Sequence, residues 1–161
     1  MRNLMKTRIG SQRGATLLEV MISVMVLSIG LLGIAGLQSS TLRNTLSAQQ
    51  RTAAITMATA MAERIRAYYL VNRHDTALDF TKFNLTKTCK TAPGGTDIFA
   101  EAKMQLFNDL TATFGASDSN CVEVNYVTAT KSVRVKVTWD DSRAAGGNSA
   151  ESVTYEVRVQ P

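Results

Sequence analysis

The sequence predicts an α+β fold: one long N-terminal helix, with its first half in a membrane, lying on a small antiparallel sheet. Three observations predict it. A basic leader is followed by an apolar run, the run passes without a proline into an amphipathic pattern, and after Cys121 the hydrophobic period switches from 3.6 to 2. The length of 161 residues allows one domain of ordinary size plus an anchor.

Residues 15–37 form an apolar run of 23 residues with a single charge, Glu19. That length crosses a hydrocarbon layer of about 30 Å as a helix. Arg2, Lys6, Arg8 and Arg13 precede it with no acid among them. The positive-inside rule therefore keeps the N-terminus in the cytoplasm and exports the rest, in a single pass of the inner membrane with a periplasmic head. The formal charge of +5 belongs mostly to this leader: without its four cations, 14 basic side chains face 13 acidic ones. The exported part is near neutral, so nucleic acid is not an expected partner.

Glu19 is the most informative residue. A carboxylate in lipid costs several kcal/mol unless something offsets it. It either sits close enough to the interface to stay wet, or it has a partner. A standard signal peptide places its small-residue cleavage site after the apolar core. Here Gly14 precedes it. Cleavage between Gly14 and Ala15 removes the basic leader, 1–14, and keeps the whole apolar helix. The new amino terminus then lies about one helical turn from Glu19, where the ammonium of one subunit can compensate the Glu19 of its neighbour.

No proline occurs before Pro93. Leu42, Leu46, Met57, Met61, Ile65 and Tyr68 or Tyr69 recur at three- and four-residue steps, with Arg43, Gln49, Arg51, Glu63 and Arg66 on the opposite face. The pattern predicts an amphipathic continuation over 38–71, hence one helix from Ala15 to about Val71, roughly 85 Å long. Gly30, Gly33 and Gly36 make a weak place in it, each costing about 1 kcal/mol against alanine. They provide either close packing against another helix or a section that can unwind.

The head, 72–161, begins with a polar stretch from Asn72 to Gly95 that reads as an irregular connection. Thr96 or Asp97 can cap a helix that ends at Phe114 with Gly115 as its stop, and Phe99, Ala102, Leu106, Leu110 and Phe114 share one face. Three alternating runs follow, on Val122, Val124 and Tyr126, on Val133, Val135, Val137 and Trp139, and on Val153, Tyr155, Val157 and Val159. They predict an antiparallel sheet with one buried face. The break at Ala129-Thr130-Lys131 suits a hairpin, and the polar stretch from Asp140 to Ala150 predicts an exposed loop suited to recognition. Cys89 and Cys121 lie beyond the membrane segment. In an oxidising compartment they are expected to pair, with free buried thiols or a metal pair as the alternatives.

No phosphate-binding, zinc-protease or nucleophile-elbow motif is present, and no cofactor or metal is expected. His74, the one histidine, follows the predicted helix end, where it complements the dipole rather than acting in catalysis. Asp140 and Asp141 supply too few oxygens to hold a cation alone. The residues point to a structural protein rather than an enzyme.

The stretch Gly14-Ala15-Thr16-Leu17-Leu18-Glu19-Val20 resembles the prepilin signature of type IV pilins and type II secretion pseudopilins. The resemblance implies that a membrane peptidase cuts after Gly14 and methylates the new terminus, Ala15, and that Glu19 is the family's docking glutamate. Ala15 stands where the family usually has phenylalanine. The segment from Ile29 to Gln38, and Ala62-Glu63-Arg64-Ile65-Arg66-Ala67, are similar to the minor pilins of the type IV pilus modification family, PilV. That likeness covers 14–68, about a third of the chain, and the head departs from the family's Leu-Pro-Gly turn. It implies a type IV pilin-like fold and a minor pilin that joins pilus assembly or priming. The implied partners are the prepilin peptidase, other minor pilins, the major pilin, the inner membrane and the assembly platform. The rivals are a type II secretion pseudopilin and a pilus-displayed adhesin that uses the Asp140 to Ala150 loop.

Overall fold

A computed structural model describes residues 16–75, 78–144 and 146–159. Helix α1 runs over Leu17–Asn72 without interruption. The chain divides into two compact units, 1–39 and 40–161. The described part of the first is the opening stretch of α1, in which Gly30, Gly33 and Gly36 are all helical and a Cβ on any of them would meet nothing within 4 Å.

In the second unit, α1 buries Ala54, Met57, Ala58, Met61, Ala62 and Ile65, which recur at three- and four-residue steps. The alanines make up half of this stripe, and Ala54 and Ala58 lie in one buried core with residues of the second helix and the sheet. The predicted stripe is corrected at its start. Leu42 and Leu46 are 64% and 59% exposed, and burial begins near Ala54. Arg43, Gln49, Arg51, Glu63 and Arg66 are exposed, as the pattern requires.

The irregular connection expected over 72–95 is also corrected. It contains a 3-10 turn, Phe80–Phe83, and a short strand β1, Leu85–Thr88. Asp79 caps the turn by accepting from the Thr81 backbone N–H. The turn places Phe80 and Phe83 in the core, where Phe83 meets Phe99 edge-on at 4.8 Å and Tyr68 at 5.4 Å. These T-shaped contacts suit the ring quadrupoles and tie the end of α1 to the head.

Helix α2, Ile98–Phe114, starts where the sequence places it. The Asp97 side chain accepts from the Ala100 N–H at 2.6 Å, and Gly115 closes the helix at φ +81°, a conformation that favours glycine. Its buried face is Phe99, Ala100, Ala102, Leu106, Phe107 and Leu110.

The sheet has four antiparallel strands in the order β1-β2-β3-β4, not three, with β2 at Cys121–Val127, β3 at Ser132–Trp139 and β4 at Glu151–Arg158. Val122 and Val124 of β2 and Val133, Val135, Val137 and Trp139 of β3 are fully buried and form one core with α1 and α2. The β2–β3 hairpin turns through residues 128–131, with Lys131 at φ +49°. Cys89, just after β1, is joined to Cys121, the first residue of β2, by a disulfide. β1 has little pattern of its own, and this cross-link and its ladder with β2 hold it in place.

Candidate functional site

The predicted site is the N-terminal segment. Gly14 and Ala15, the predicted cleavage and methylation residues, and the leader before them lie outside the described residues. The described segment opens at Thr16, which stands at the N-cap of α1. Its hydroxyl accepts from the Glu19 N–H at 3.3 Å, and its carbonyl accepts from the N–H groups of Glu19 and Val20 at 3.0 and 3.2 Å. Thr16-x-x-Glu19 has the residue order of a capping box, a helix-start signal carried by the sequence itself.

Glu19 therefore sits in the first turn of α1, where unpaired backbone N–H groups and the helix dipole favour an anion. Its side chain is exposed, and among the described residues no lysine or arginine forms an ion pair with it. Two factors thus bear on this carboxylate: the positive end of its own helix, and whatever charge is brought from outside the described chain.

From Leu17 to Leu37 the large apolar side chains are all exposed, from 51% at Val20 to 78% at Leu17. Exposed apolar surface running this far along a helix is uncommon on a soluble monomer and calls for lipid or another helix. α1 is the one helix among the described residues long and apolar enough to cross a membrane. The hydroxyls in this stretch bond locally: Ser23 Oγ donates to the Glu19 carbonyl at 2.7 Å and Ser28 Oγ to the Val24 carbonyl at 2.6 Å.

Residues 9–35 match the prokaryotic N-terminal methylation motif. The chain carries a type IV pilin-like leader. The matched stretch spans Gly14, Ala15 and Glu19 and reaches past Gly33. No curated protein and no solved structure matches the chain. The long apolar helix and the small antiparallel sheet together make a type IV pilin-like fold, consistent with that leader.

The other residues singled out in the sequence lie in the head. His74 is exposed two residues beyond α1, and Arg73 Nε donates to its Nε2 at 3.3 Å. The Asp140 to Ala150 loop is only partly the solvated stretch expected. Asp140 is exposed and accepts from the Ser142 N–H, which draws its carboxyl below the usual aspartate range. Asp141 is buried instead. Its carboxylate accepts from the Ser47 hydroxyl of α1 at 2.5 Å, its N–H donates to Asn148 O, and its carbonyl accepts from the Ala144 N–H. One face of the loop is therefore fixed to α1. Among the described residues no group of three or more potential ligands could hold a metal ion.

Proposed function

We propose that this chain is a minor type IV prepilin of the PilV kind, a structural subunit rather than an enzyme. A prepilin peptidase cuts between Gly14 and Ala15 and methylates Ala15. The mature subunit waits in the inner membrane with its N-terminus at the cytoplasmic face and its head in the periplasm. The assembly platform then transfers it into a pilus or its priming complex beside other minor pilins and the major pilin. The observation that carries this is the methylation motif, whose matched stretch runs into the part of α1 from Leu17 to Leu37 where the large apolar side chains are all exposed. Such a surface needs a covering, and a filament core of like helices supplies one without lipid.

Glu19 registers the subunits. The ammonium left by cleavage on one subunit meets the Glu19 of the next in low-dielectric surroundings, where a matched pair is strongly favoured over an unpaired carboxylate.

Glu19→Gln and Glu19→Ala separate docking from helix capping. Glutamine serves a capping box as well as glutamate does, but it has no charge. The expectation is normal processing by intact mass and equal loss of both variants from sheared pili or the initiation complex. If Glu19→Gln assembles like the parent and only Glu19→Ala fails, Glu19 acts on its own helix and the docking role is wrong. Intact mass also reads the cut site and the methyl group. The type II secretion alternative predicts that deletion abolishes protein secretion and spares piliation. An adhesin role predicts that removing the Asp140 to Ala150 loop lowers attachment at unchanged piliation.

A further inference from the structure

A set of polar groups converges in the head at a place the N-terminal segment does not explain. A pocket of about 350 Å³ opens between α1, the end of β3, the turn that follows it and the start of β4. Asn44, Ser47 and Arg51 line it from one face of α1, at three- and four-residue steps. Glu151 lines it from β4, where it stands opposite Trp139 in the ladder. Trp139 forms part of the floor.

Trp139 is fully buried, and its Nε1–H, the one polar group of the side chain, has no acceptor among the described residues. A buried N–H left in that state costs about 1–3 kcal/mol. The indole ring stacks on Phe114 at 5.6 Å and packs into the core. Packing thus holds the ring in place, and the pocket is the open side from which an acceptor can reach it.

The wall is fixed as well. Ser47 Oγ donates to the Asp141 carboxylate, the Asp141 N–H to Asn148 O and the Gly147 N–H to Ala144 O. At Gly147 the backbone comes so close that a Cβ would collide with the Asp141 carbonyl. The side chains of Asn44, Arg51 and Glu151, by contrast, form no hydrogen bond or ion pair among the described residues.

These groups select the chemistry of an occupant. An anion would gain Arg51 but stand beside the carboxylates of Asp141 and Glu151. A cation would gain Glu151 but bring no acceptor to the indole. A hydroxyl answers both demands: its oxygen accepts from Nε1–H or Arg51, and its hydrogen donates to a carboxylate or to Asn44 Oδ1. Several hydroxyls held at fixed spacing are what a sugar ring carries. The volume lies at the small end of the range for small-molecule sites, about 300–1,000 Å³, which suits one ring rather than a chain of them.

We propose that this pocket binds a single hexose unit of a saccharide, with one hydroxyl accepting from Trp139 Nε1–H and its neighbours bonded to Arg51, Asn44 and Glu151. The proposal rests on the head alone and goes beyond the assembly role of the N-terminal segment.

The test uses the full-length chain in lipid nanodiscs, with an isotope-labelled Trp139 indole as reporter. Trp139 is the only tryptophan, so one N–H resonance reports the floor of the pocket. Glucose, galactose, mannose and N-acetylglucosamine are titrated in turn, and at least one should move that resonance to saturation. Sodium acetate, ammonium chloride and glycerol at matched concentrations should not. Arg51→Ala and Glu151→Gln should each weaken binding about tenfold, the loss of one charge-assisted hydrogen bond. Arg66→Ala, at an exposed position elsewhere on α1, should leave it unchanged. Urea midpoints equal to the parent's show that the variants are folded. A response to soluble sugar identifies a free saccharide as the source; one that needs a glucosyl diacylglycerol in the nanodisc identifies a lipid-borne sugar. No response to either means that a buried water serves the indole, and the proposal is overturned. A shift that never saturates, or that acetate or ammonium reproduces, also overturns it. So does a saturable shift that both Arg51→Ala and Glu151→Gln leave at the parent's affinity, because the sugar then binds elsewhere.

Discussion

Replacing Cys89 with serine isolates the contribution of the one disulfide. The bridge joins residues 32 apart in sequence. In the chain-entropy model, opening a loop of about 33 residues returns about 3.7 kcal/mol of freedom to the unfolded chain at 25 °C. Cys89 is the better position to change because it is half-buried, whereas Cys121 is in the core and its loss would add a packing defect. The Cys121 thiol left behind keeps a weak contact with Asp118 O at 3.4 Å. Trp139 is the only tryptophan and is fully buried in the head, so its fluorescence reports unfolding of the head and not of the apolar stretch. For a urea dependence of about 2 kcal/mol/M, the midpoint should fall by roughly 2 M. Reductant should bring the parent protein to nearly the same midpoint and leave the variant unmoved. A shift below about 0.3 M, or an equal effect of reductant on both proteins, would show that β1 and β2 hold together without the bridge.

Further outcomes follow from single contacts. Ser47→Ala removes the donor to the buried Asp141 carboxylate; unfolding of the head should become easier by about 1–3 kcal/mol, and amide exchange at Asp141 and Ala144 should speed up more than in the β2–β3 hairpin. Asp97→Ala removes the cap of α2; the expected loss is about 1 kcal/mol by urea titration, largely recovered by Asp97→Ser. Ser132 and Arg134 hold the Glu156 carboxyl below its ordinary value of 4.5. The stability gained is present above that value and lost as pH falls through the lower folded one. Glu156→Gln should therefore be less stable than the parent near neutrality, and the two melting curves should converge in acid. A gap that persists or widens in acid would refute the sign.

The parts of the head that were legible in the sequence are those with strong local signals. Asp97 and Gly115 bound α2 because a carboxylate cap and a residue tolerant of positive φ are needed at those two places. The β2 and β3 valines alternate because each strand has one buried face. β1 is not legible in the sequence because Leu85-Thr86-Lys87-Thr88 offers a single apolar residue, and its pairing is imposed from outside by β2 and the disulfide. Phe80 and Phe83 were hidden in a polar stretch whose 3-10 turn depends on the Asp79 cap. Leu42 and Leu46 follow the right period and are exposed all the same. Periodicity gives a face of a helix, and where along the helix that face is covered depends on what else is nearby. Asp141 reads as a solvated turn residue until the hydroxyl of Ser47, 94 positions away, donates to its carboxylate. In the N-terminal segment the charge logic of Glu19 was visible, while its position in the first turn beside Thr16 emerged only with the backbone.

The inward-bonded hydroxyls of the apolar stretch have a physical consequence for any journey that helix makes. Ser23 and Ser28 donate their protons to carbonyls one turn back. Neither side chain therefore relies on water or on a neighbouring molecule as its acceptor. Moving this stretch from oily surroundings into a packed bundle, or in the reverse direction, leaves those bonds unchanged. The polarity written into the sequence at these positions is largely neutralised before the segment meets its environment, and the energetic difference between the two settings rests on shape and on the single carboxylate near its start.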